Sequence, residues 1–257
     1  MQPAWSSDEK EIAFIAWNHP QMPWDGSELL LYDVESKKIS FLCGSSEVSI
    51  FQPSYAPNGR YISYISNKNG WGQLYVYDRK EKEHQQLTKE NIEYALPGWI
   101  QGMRTYCWHP SSEEILACSQ DKGRFQIKHI SFLQKKTQTL STSTPYTFIA
   151  QPSISADGST LFCLASSPKI PPRVVSINKK GECKTIRRSS SETFMETFGS
   201  KPQAINWKGH DGEQVYGIYW PPFNKRFTSK DQPPLIVDIH GGPTTNRTIG
   251  YDPEAIF

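Results

Sequence analysis

A four-part repeat in the first three quarters of the chain most constrains its fold. Each copy has a first strand with a large apolar residue at its end, a turn, an apolar second strand and two further short strands. The first strands end, in order, at Trp5, Tyr55, Trp108 and Ile154. The copies therefore follow one another at a period of about 50 residues, which is typical of the four-stranded blades of a β-propeller.

The residues between and within these segments favour strands joined by tight hairpins. Asn58-Gly59 and Asp157-Gly158 supply residues that accept the positive φ of a tight turn. Leu74-Tyr75-Val76-Tyr77 is rich in aromatic and β-branched types and is too short for a helix. We predict an all-β, partial propeller of about four blades over residues 1–190, with a β-sandwich of similar strands as the alternative.

Blades in a propeller bury their faces on their neighbours. A row of four blades that does not close into a ring leaves the outer face of the first and of the last blade uncovered. The first copy begins at the start of the chain, without a strand that could close a ring. We therefore expect part of a larger propeller rather than a closed four-bladed ring, and we interpret the chain as a fragment of a longer protein.

The charge balance and hydropathy exclude several classes of partner. Lys and Arg total 28 and Asp and Glu total 26 in 257 residues, so the sequence predicts no strong field toward a nucleic acid or an anionic membrane. Apolar runs stay far below the roughly 18 residues of a membrane-spanning helix. The N-terminus lacks the basic and apolar regions of a signal peptide, which predicts a cytoplasmic location.

The cysteines do not form a metal or redox motif. Cys43, Cys107, Cys118, Cys163 and Cys183 are an odd number and include no C-x-x-C pair. We interpret them as buried, reduced thiols and predict no metal and no organic cofactor.

The sequence pattern changes after the fourth copy, and residues 200–257 read as the start of a second domain. His210-Asp211-Gly212 between two alternating segments indicates a hairpin. Further on, Pro233 to Ile239 is an apolar run of the kind that forms inner strands of an α/β sheet. It leads directly into His240-Gly241-Gly242-Pro243, so we expect a buried strand that ends at a glycine turn.

Two glycines at the end of a buried strand can serve catalysis. Without Cβ atoms their backbone N–H groups are open to a developing oxyanion, and Gly242 is the candidate donor. Gly241 and His240 would support the turn, His240 through a side-chain hydrogen bond. An H-G-G loop after a strand is one half of the oxyanion hole in α/β-hydrolases. The alternative is a tight strand-to-loop turn without a catalytic role.

The propeller and the glycine turn together resemble the prolyl oligopeptidase family of serine peptidases. The matching positions after residue 200 are Ile205, Trp207, Asp211, Gly212, Val215, Gly217, Tyr219, Pro221 and Pro234 through Pro243. Trp17 to Gly26 and Gly98 to Met103 are similar to segments of the acylaminoacyl-peptidase and dipeptidyl-aminopeptidase branch. The resemblance implies a propeller followed by the first strands of an α/β-hydrolase domain.

The resemblance also implies a function for the longer protein. Such enzymes cleave short peptides by nucleophilic acyl transfer, and the propeller limits the size of the substrate. The nucleophile motif G-x-S-x-G is missing from this sequence. The catalytic Ser, Asp and His of the family follow H-G-G-P, so the triad is expected outside this chain, and the chain alone is expected to be inactive. A non-catalytic propeller that binds a partner is the alternative.

An aromatic loop in the first repeat is a further candidate. Trp17 and Trp24 flank a segment that also contains Met22. If these side chains are exposed, they could contact a peptide substrate, because a cluster of large apolar side chains in water is costly. Packing against a neighbouring blade explains the same residues equally well.

Overall fold

The computed structural model describes residues 1–98, 101–190, 199–226, 228, 230–242 and 244–256. Within these residues the backbone forms four antiparallel sheets of four strands each, followed by a two-stranded hairpin. Every four-stranded sheet contains consecutive strands in chain order, so each copy of the sequence repeat is one blade. This confirms the partial propeller and excludes the β-sandwich, in which strands of one sheet are drawn from distant parts of the chain.

The strand bounds are as follows. Blade 1 contains β1 (Ala4–Trp5), β2 (Glu11–Ala16), β3 (Ser27–Asp33) and β4 (Ile39–Ser45). Blade 2 contains β5 (Ile50–Tyr55), β6 (Tyr61–Ser66), β7 (Gln73–Asp78) and β8 (Glu83–Gln86). Blade 3 contains β9 (Tyr106–Trp108), β10 (Glu114–Asp121), β11 (Arg124–Ser131) and β12 (Lys136–Thr139). Blade 4 contains β13 (Phe148–Ile154), β14 (Thr160–Ser167), β15 (Ile170–Asn178) and β16 (Cys183–Arg188).

Burial along the strands follows their position in a blade. All six residues of β6 are buried, because blade 2 is covered by a neighbour on each face. The fourth strands of blades 2 and 3, β8 and β12, are short, polar and largely exposed. Charged and polar side chains on such an edge strand oppose pairing with other chains.

Three apolar clusters lie between successive blades. The first joins blades 1 and 2 around Leu29 and Ile62, and the second joins blades 2 and 3 around Leu74 and Ile115. The third joins blades 3 and 4 around Val175. Burial of apolar surface between sheets therefore stabilises the row of blades in the way the repeat predicts.

A repeated Gln-Pro pair links the blades near their first strands. Gln2, Gln52 and Gln151 all have left-handed backbone conformations, with φ of 49°, 50° and 56°. The pairing register of β5 and β13 shifts at these positions, because proline lacks the N–H that would continue the ladder. The Gln52 N–H donates to Gln2 Oε1 over 2.6 Å, and Thr105 N–H donates to Gln52 Oε1 over 2.7 Å. The side chains of Gln2 and Gln52 therefore each bond to the next blade.

The predicted hairpin is present after the propeller. β17 (Gln203–Lys208) pairs with β18 (Gln214–Tyr219), and the turn contains Gly212 at φ 84°. A one-turn helix, α1 (Pro253–Ile256), lies near the end of the described chain. The glycine at the turn avoids the steric cost that a Cβ imposes in the left-handed region.

The buried strand expected at Pro233 to Ile239 is not formed. This segment has no strand pairing, and the side chains of Leu235 and Ile236 are 75% and 90% exposed. An inner strand of a parallel sheet needs hydrogen-bonded neighbours on both edges and apolar cover on both faces. Neither is supplied to this segment by the described residues, so the run is unpaired and open to solvent.

Candidate functional site: the glycine turn and the propeller end beside it

The glycine turn is an exposed bend that follows the apolar run. His240 Nδ1 lies 2.8 Å from the carbonyl oxygen of Gly241. A carbonyl only accepts, so the imidazole carries its proton on Nδ1 and donates it to the turn. Neither glycine has a left-handed φ, and a Cβ at Gly241 would meet no atom within 4 Å. Pro243 lies outside the described residues.

The open surroundings bear on why glycine occupies these positions. A Cβ at Gly242 would come no closer than 3.5 Å to another atom, the backbone nitrogen of Thr244. Nothing within the described chain therefore requires glycine at Gly241 or Gly242 for steric reasons. The two residues leave their N–H groups accessible, which is the property that an oxyanion donor needs. The oxyanion role of Gly242 and the supporting roles of Gly241 and His240 stay predictions.

The segment that follows the turn, residues 244–252, is docked on the propeller. Ile249 is completely buried, and its N–H donates to the Gly123 carbonyl oxygen over 2.7 Å. The Thr147 hydroxyl donates to the carbonyl oxygen of Ile249, and Tyr251 N–H lies 3.4 Å from Ser166 Oγ. Gly123 lies in the turn between β10 and β11 of blade 3, and Thr147 lies directly before β13 of blade 4. Both blades therefore contact Ile249.

Close backbone approach accompanies this docking. A Cβ at Gly123 would lie 3.2 Å from Ile218 Cδ1 and 3.3 Å from Ile249 Cγ1, so β18 and the docked segment meet at the same turn. A Cβ at Gly250 would lie 3.2 Å from Cβ of Phe148. Both glycines therefore permit contacts that larger residues would hinder. The sequence does not point to Ile249, because a lone apolar residue after a glycine turn gives no pattern.

The docked segment contacts one end of the propeller, where the connections after the second strand of each blade lie. The β6–β7 and β10–β11 ends are joined through Glu93, which exchanges two backbone hydrogen bonds with Gln120 and accepts from Gly72 N–H. The Ser27 hydroxyl at the start of β3 accepts from Ile50 N–H of blade 2 over 2.8 Å. The second-to-third-strand ends of blades 1, 2 and 3 therefore face the side where Ile249 is buried, and Ser166 near the end of β14 places the corresponding end of blade 4 there too.

The aromatic loop of blade 1 is one of these loops. Trp17 is 39% exposed and Met22 is 44% exposed, whereas Trp24 is half-buried and in contact with neighbouring groups. The base of the loop is tightly packed, because a Cβ at Gly26 would lie 2.1 Å from the carbonyl oxygen of Ser46. The loop thus combines a fixed base with exposed side chains at the end of the propeller that Ile249 contacts. Substrate contact by Trp17 and Trp24 stays a prediction.

A second feature at this end is Glu93 in the connector between blades 2 and 3. Burial raises the pKa of Glu93, and N–H groups of Ala95 and Gly72 that donate to its carboxylate oppose the rise. Its backbone joins the blades as described above, so its position follows from structural contacts. The segment Gly98 to Met103, for which the sequence showed a family resemblance, continues this connector. Trp99 and Ile100 of this segment lie outside the described residues.

Other site chemistries find little support in the described part of the chain. Its His, Cys, Asp and Glu side chains form no group of three or more that could hold a metal ion. Its one helix is far too short to cross a bilayer, so no candidate membrane span is found among the described helices.

Comparison with known families identifies the propeller. The family model described as PD40, TolB beta propeller domain, matches residues 1–197. A TolB structure from Acinetobacter baumannii has 16% identity and a TM-score of 0.56 over 86% of this chain and 51% of its own length. This likeness concerns the fold alone.

More similar proteins are peptidases. Dipeptidyl-peptidase 5 of Aspergillus fumigatus is 24% identical over 206 residues, which are 77% of this chain and 27% of that protein. A puromycin hydrolase structure has 27% identity and a TM-score of 0.86, covering 97% of this chain and 38% of its own. A puromycin-hydrolyzing peptidase of Mycobacterium tuberculosis has 27% identity and a TM-score of 0.85, covering 98% and 38%.

These comparisons confirm the resemblance to the prolyl oligopeptidase family, and the similarity extends past the propeller through the hairpin and the glycine turn. The chain spans only about a quarter to two fifths of the length of these relatives. Because the family model matches more than half of the residues, the chain belongs to the PD40 family of TolB beta propeller domains.

Proposed function

We propose that this chain forms the propeller and the opening of the hydrolase domain of a serine-type peptidase that cleaves short peptides. The observation that carries the proposal is the extent of the similarity to puromycin hydrolase, which covers 97% of the chain and includes the glycine turn. A non-catalytic propeller needs no glycine turn attached to its end through a buried anchor. The substrate class is an aminoacyl, acylaminoacyl or dipeptidyl compound.

The proposed chemistry assigns one step to this chain. A serine outside the chain attacks the peptide carbonyl, and the carbonyl oxygen takes up negative charge as the tetrahedral intermediate forms. The N–H of Gly242 donates to that oxygen, with a second donor supplied by the residue after the nucleophile. The His240 side chain holds the Gly241 carbonyl and thereby orients the peptide plane that carries the Gly242 N–H. No cofactor takes part.

The propeller supplies substrate selection in this proposal. The end that carries the second-to-third-strand loops lies beside the segment that follows the glycine turn. A substrate would therefore bind between the propeller and the second domain. The exposed Trp17 side chain and the Trp24 loop would contact the peptide there. Short peptides fit the enclosed space, and folded proteins are excluded by size. We place the enzyme in the cytoplasm, with no nucleic acid or membrane partner.

The deciding experiment uses the protein that carries this chain together with the sequence that follows it. The open reading frame is expected to continue into G-x-S-x-G, and the purified protein is expected to hydrolyse aminoacyl and dipeptidyl 4-nitroanilides and to react with a fluorophosphonate probe. Casein is expected to remain uncut. A stop codon directly after Phe257, or a full-length protein without hydrolase activity, would favour the partner-binding propeller instead.

A backbone substitution tests the step assigned to Gly242. Gly242→Pro removes the donor N–H and is expected to lower kcat by about 100- to 1,000-fold, the usual cost of losing one oxyanion donor. Gly242→Ala keeps the N–H and is the matched control, with a much smaller loss expected. Equal losses in the two variants would assign the effect to the shape of the turn rather than to its donor.

The 257-residue chain alone serves as the negative case. It lacks the nucleophile motif, so no serine in it is expected to react with the fluorophosphonate probe. Labelling of any serine in this chain would contradict the proposed division of the active site.

A further inference from the structure

We propose that Ile249 and Arg247 are positioning residues that connect the glycine turn to blades 3 and 4 of the propeller. This inference rests on the proposed function, because a glycine turn that donates to an oxyanion must keep a fixed position. It goes further by naming which part of the propeller holds the turn. The docked segment is defined as residues 244–252.

The first step of the connection is the burial of Ile249 in the propeller end. Its side chain is completely buried, and both of its backbone polar groups are bonded to propeller residues, to the Gly123 carbonyl and the Thr147 hydroxyl. An apolar side chain in a closed site and two satisfied backbone groups fix both the position and the direction of the chain. Ile249 follows Gly242 by only seven residues.

The second step joins the docked segment to the residues before the turn. The Arg247 guanidinium forms an ion pair with the carboxylate of Asp238, and it lies 3.6 Å from a carboxylate oxygen of Asp252. Asp238 precedes His240 by two residues. The ion pair therefore closes the base of the loop that contains the glycine turn, while Ile249 attaches the same base to the propeller.

The two contacts have different strengths and can be separated. The Arg247 and Asp238 side chains are 47% and 66% exposed, and exposed ion pairs contribute little to stability by themselves. Burial of Ile249 supplies most of the attachment. Ile249 is expected to control the whole docked segment, and Arg247 only the glycine turn.

The experiment measures backbone order parameters from ¹⁵N relaxation in the 257-residue chain labelled at glycine. Every sample carries Phe41→Lys on the exposed outer face of blade 1 to keep the chain monomeric. Gly250 reports the docked segment, Gly242 reports the turn, and Gly158 in a blade 4 hairpin reports the propeller. Gly242 is assigned without ambiguity by carbonyl labelling, because Gly241-Gly242 is the one Gly-Gly pair in the sequence. We expect Gly250 and Gly158 near 0.85 and Gly242 above about 0.6 in the unaltered chain.

The variants then separate the two steps. Ile249→Ala is expected to lower the order parameters of both Gly250 and Gly242 below about 0.6, the range of flexible backbone. Ile249→Val is expected to restore both order parameters. Arg247→Gln is expected to lower Gly242 and to leave Gly250 ordered. Ile239→Ala is the matched control, because Ile239 is 85% exposed, and neither glycine is expected to change.

Two results would overturn the proposal. One is a flexible Gly250 or Gly242 in the unaltered chain, and the other is an ordered Gly242 in both Ile249→Ala and Arg247→Gln. If Gly158 shows that Ile249→Ala damages the propeller, Thr147→Val removes the hydroxyl donor from the propeller side and is expected to lower Gly250 and Gly242 in its place. Order parameters do not depend on catalysis, so this test and the peptidase test can fail separately.

Discussion

Four cysteines that are far apart in the sequence meet in the apolar cluster between blades 3 and 4. Cys118 and Cys163 are buried members of this cluster, and Cys107 and Cys183 pack against it. All five cysteines of the chain are free thiols. Burial raises the pKa of Cys107 and of Cys163 to about 12 and that of Cys43 to about 11. The interpretation as buried thiols holds for Cys118 and Cys163, whereas Cys43, Cys107 and Cys183 are only partly buried.

The raised pKa values predict slow thiol chemistry in the folded chain. Thiolate is the reactive form, and a shift from 9 to about 12 lowers its fraction at pH 8 by about 1,000-fold. Cys107 and Cys163 are expected to resist Ellman's reagent at pH 8, with rates that rise about tenfold per pH unit toward the pKa. All five thiols are expected to react at once in guanidinium chloride. Fast labelling of either residue in the folded chain would contradict this assignment.

At the scale of the element, Gln52 and Gly26 allow one strand or loop to contact the next. Gln52 sits at the bulge of β5 and is 7% exposed, and its side chain serves two backbone groups of blade 3. It accepts from Thr105 N–H and donates to the Tyr106 carbonyl oxygen over 2.8 Å. In blade 1, Gly26 lets the aromatic loop approach the connection between β4 and β5. Contacts between elements, rather than strand propensity, explain both residues.

Gln52→Ala is expected to lower the free energy of unfolding by about 2–3 kcal/mol, because it leaves a buried N–H and a buried carbonyl without their partner. Gln85→Ala is the control, since Gln85 lies exposed on β8. Urea unfolding followed by tryptophan fluorescence measures both. A similar midpoint for the two variants would show that the Gln52 side chain does not link the blades.

Gly26→Ala and Gly70→Ala form a second matched pair. A Cβ at Gly26 would lie 2.1 Å from backbone, so the loop must move, at an expected cost of about 1–3 kcal/mol. Gly70 has φ of 84° but open space around its Cβ position, so only the left-handed strain of about 1 kcal/mol applies. Gly26→Ala is expected to unfold at the lower urea concentration. It should also increase protease cleavage between Trp17 and Trp24, and a protected loop would argue against the packing described.

At the scale of the whole molecule, the two outer faces of the row of blades are apolar. In blade 1, Trp5, Ile39 and Phe41 are 57%, 60% and 60% exposed, and cross-strand pairing places them on the face away from blade 2. In blade 4, Leu164 and Ile186 are 41% and 45% exposed. The sequence prediction of two uncovered faces is therefore confirmed by the positions of these side chains.

Exposed apolar sheets predict self-association of the 257-residue chain. Phe41→Lys places a charge on the outer face of blade 1 and is expected to raise the monomer fraction in size-exclusion chromatography with light scattering. Ser40→Lys is the control on the neighbouring position, whose side chain points to the other side of the sheet. Such surfaces associate at roughly tens of micromolar. The prediction would be contradicted by an unaltered chain that stays monomeric at that concentration.

Much of the propeller could be predicted because each blade repeats local signals. Asn58-Gly59 and Asp157-Gly158 mark turns by their own backbone preferences, and both glycines have left-handed φ. The prediction of a strand at Pro233 to Ile239 was wrong, because the hydrogen bonds and apolar cover of such a strand must come from other segments. Ile249 was missed, because its burial depends on Gly123 and Thr147, which lie more than 100 residues away.

The sequence by itself determined the number of blades, the strand pattern within each blade and the resemblance to a peptidase family. These depend on local periodicity, on turn residues and on motifs, which any single segment carries. Only the tertiary structure decided which end of the propeller lies beside the glycine turn and which residues anchor the turn there. That result depends on hydrogen bonds and packing between segments far apart in the chain, and such contacts leave no pattern in the sequence of either segment alone.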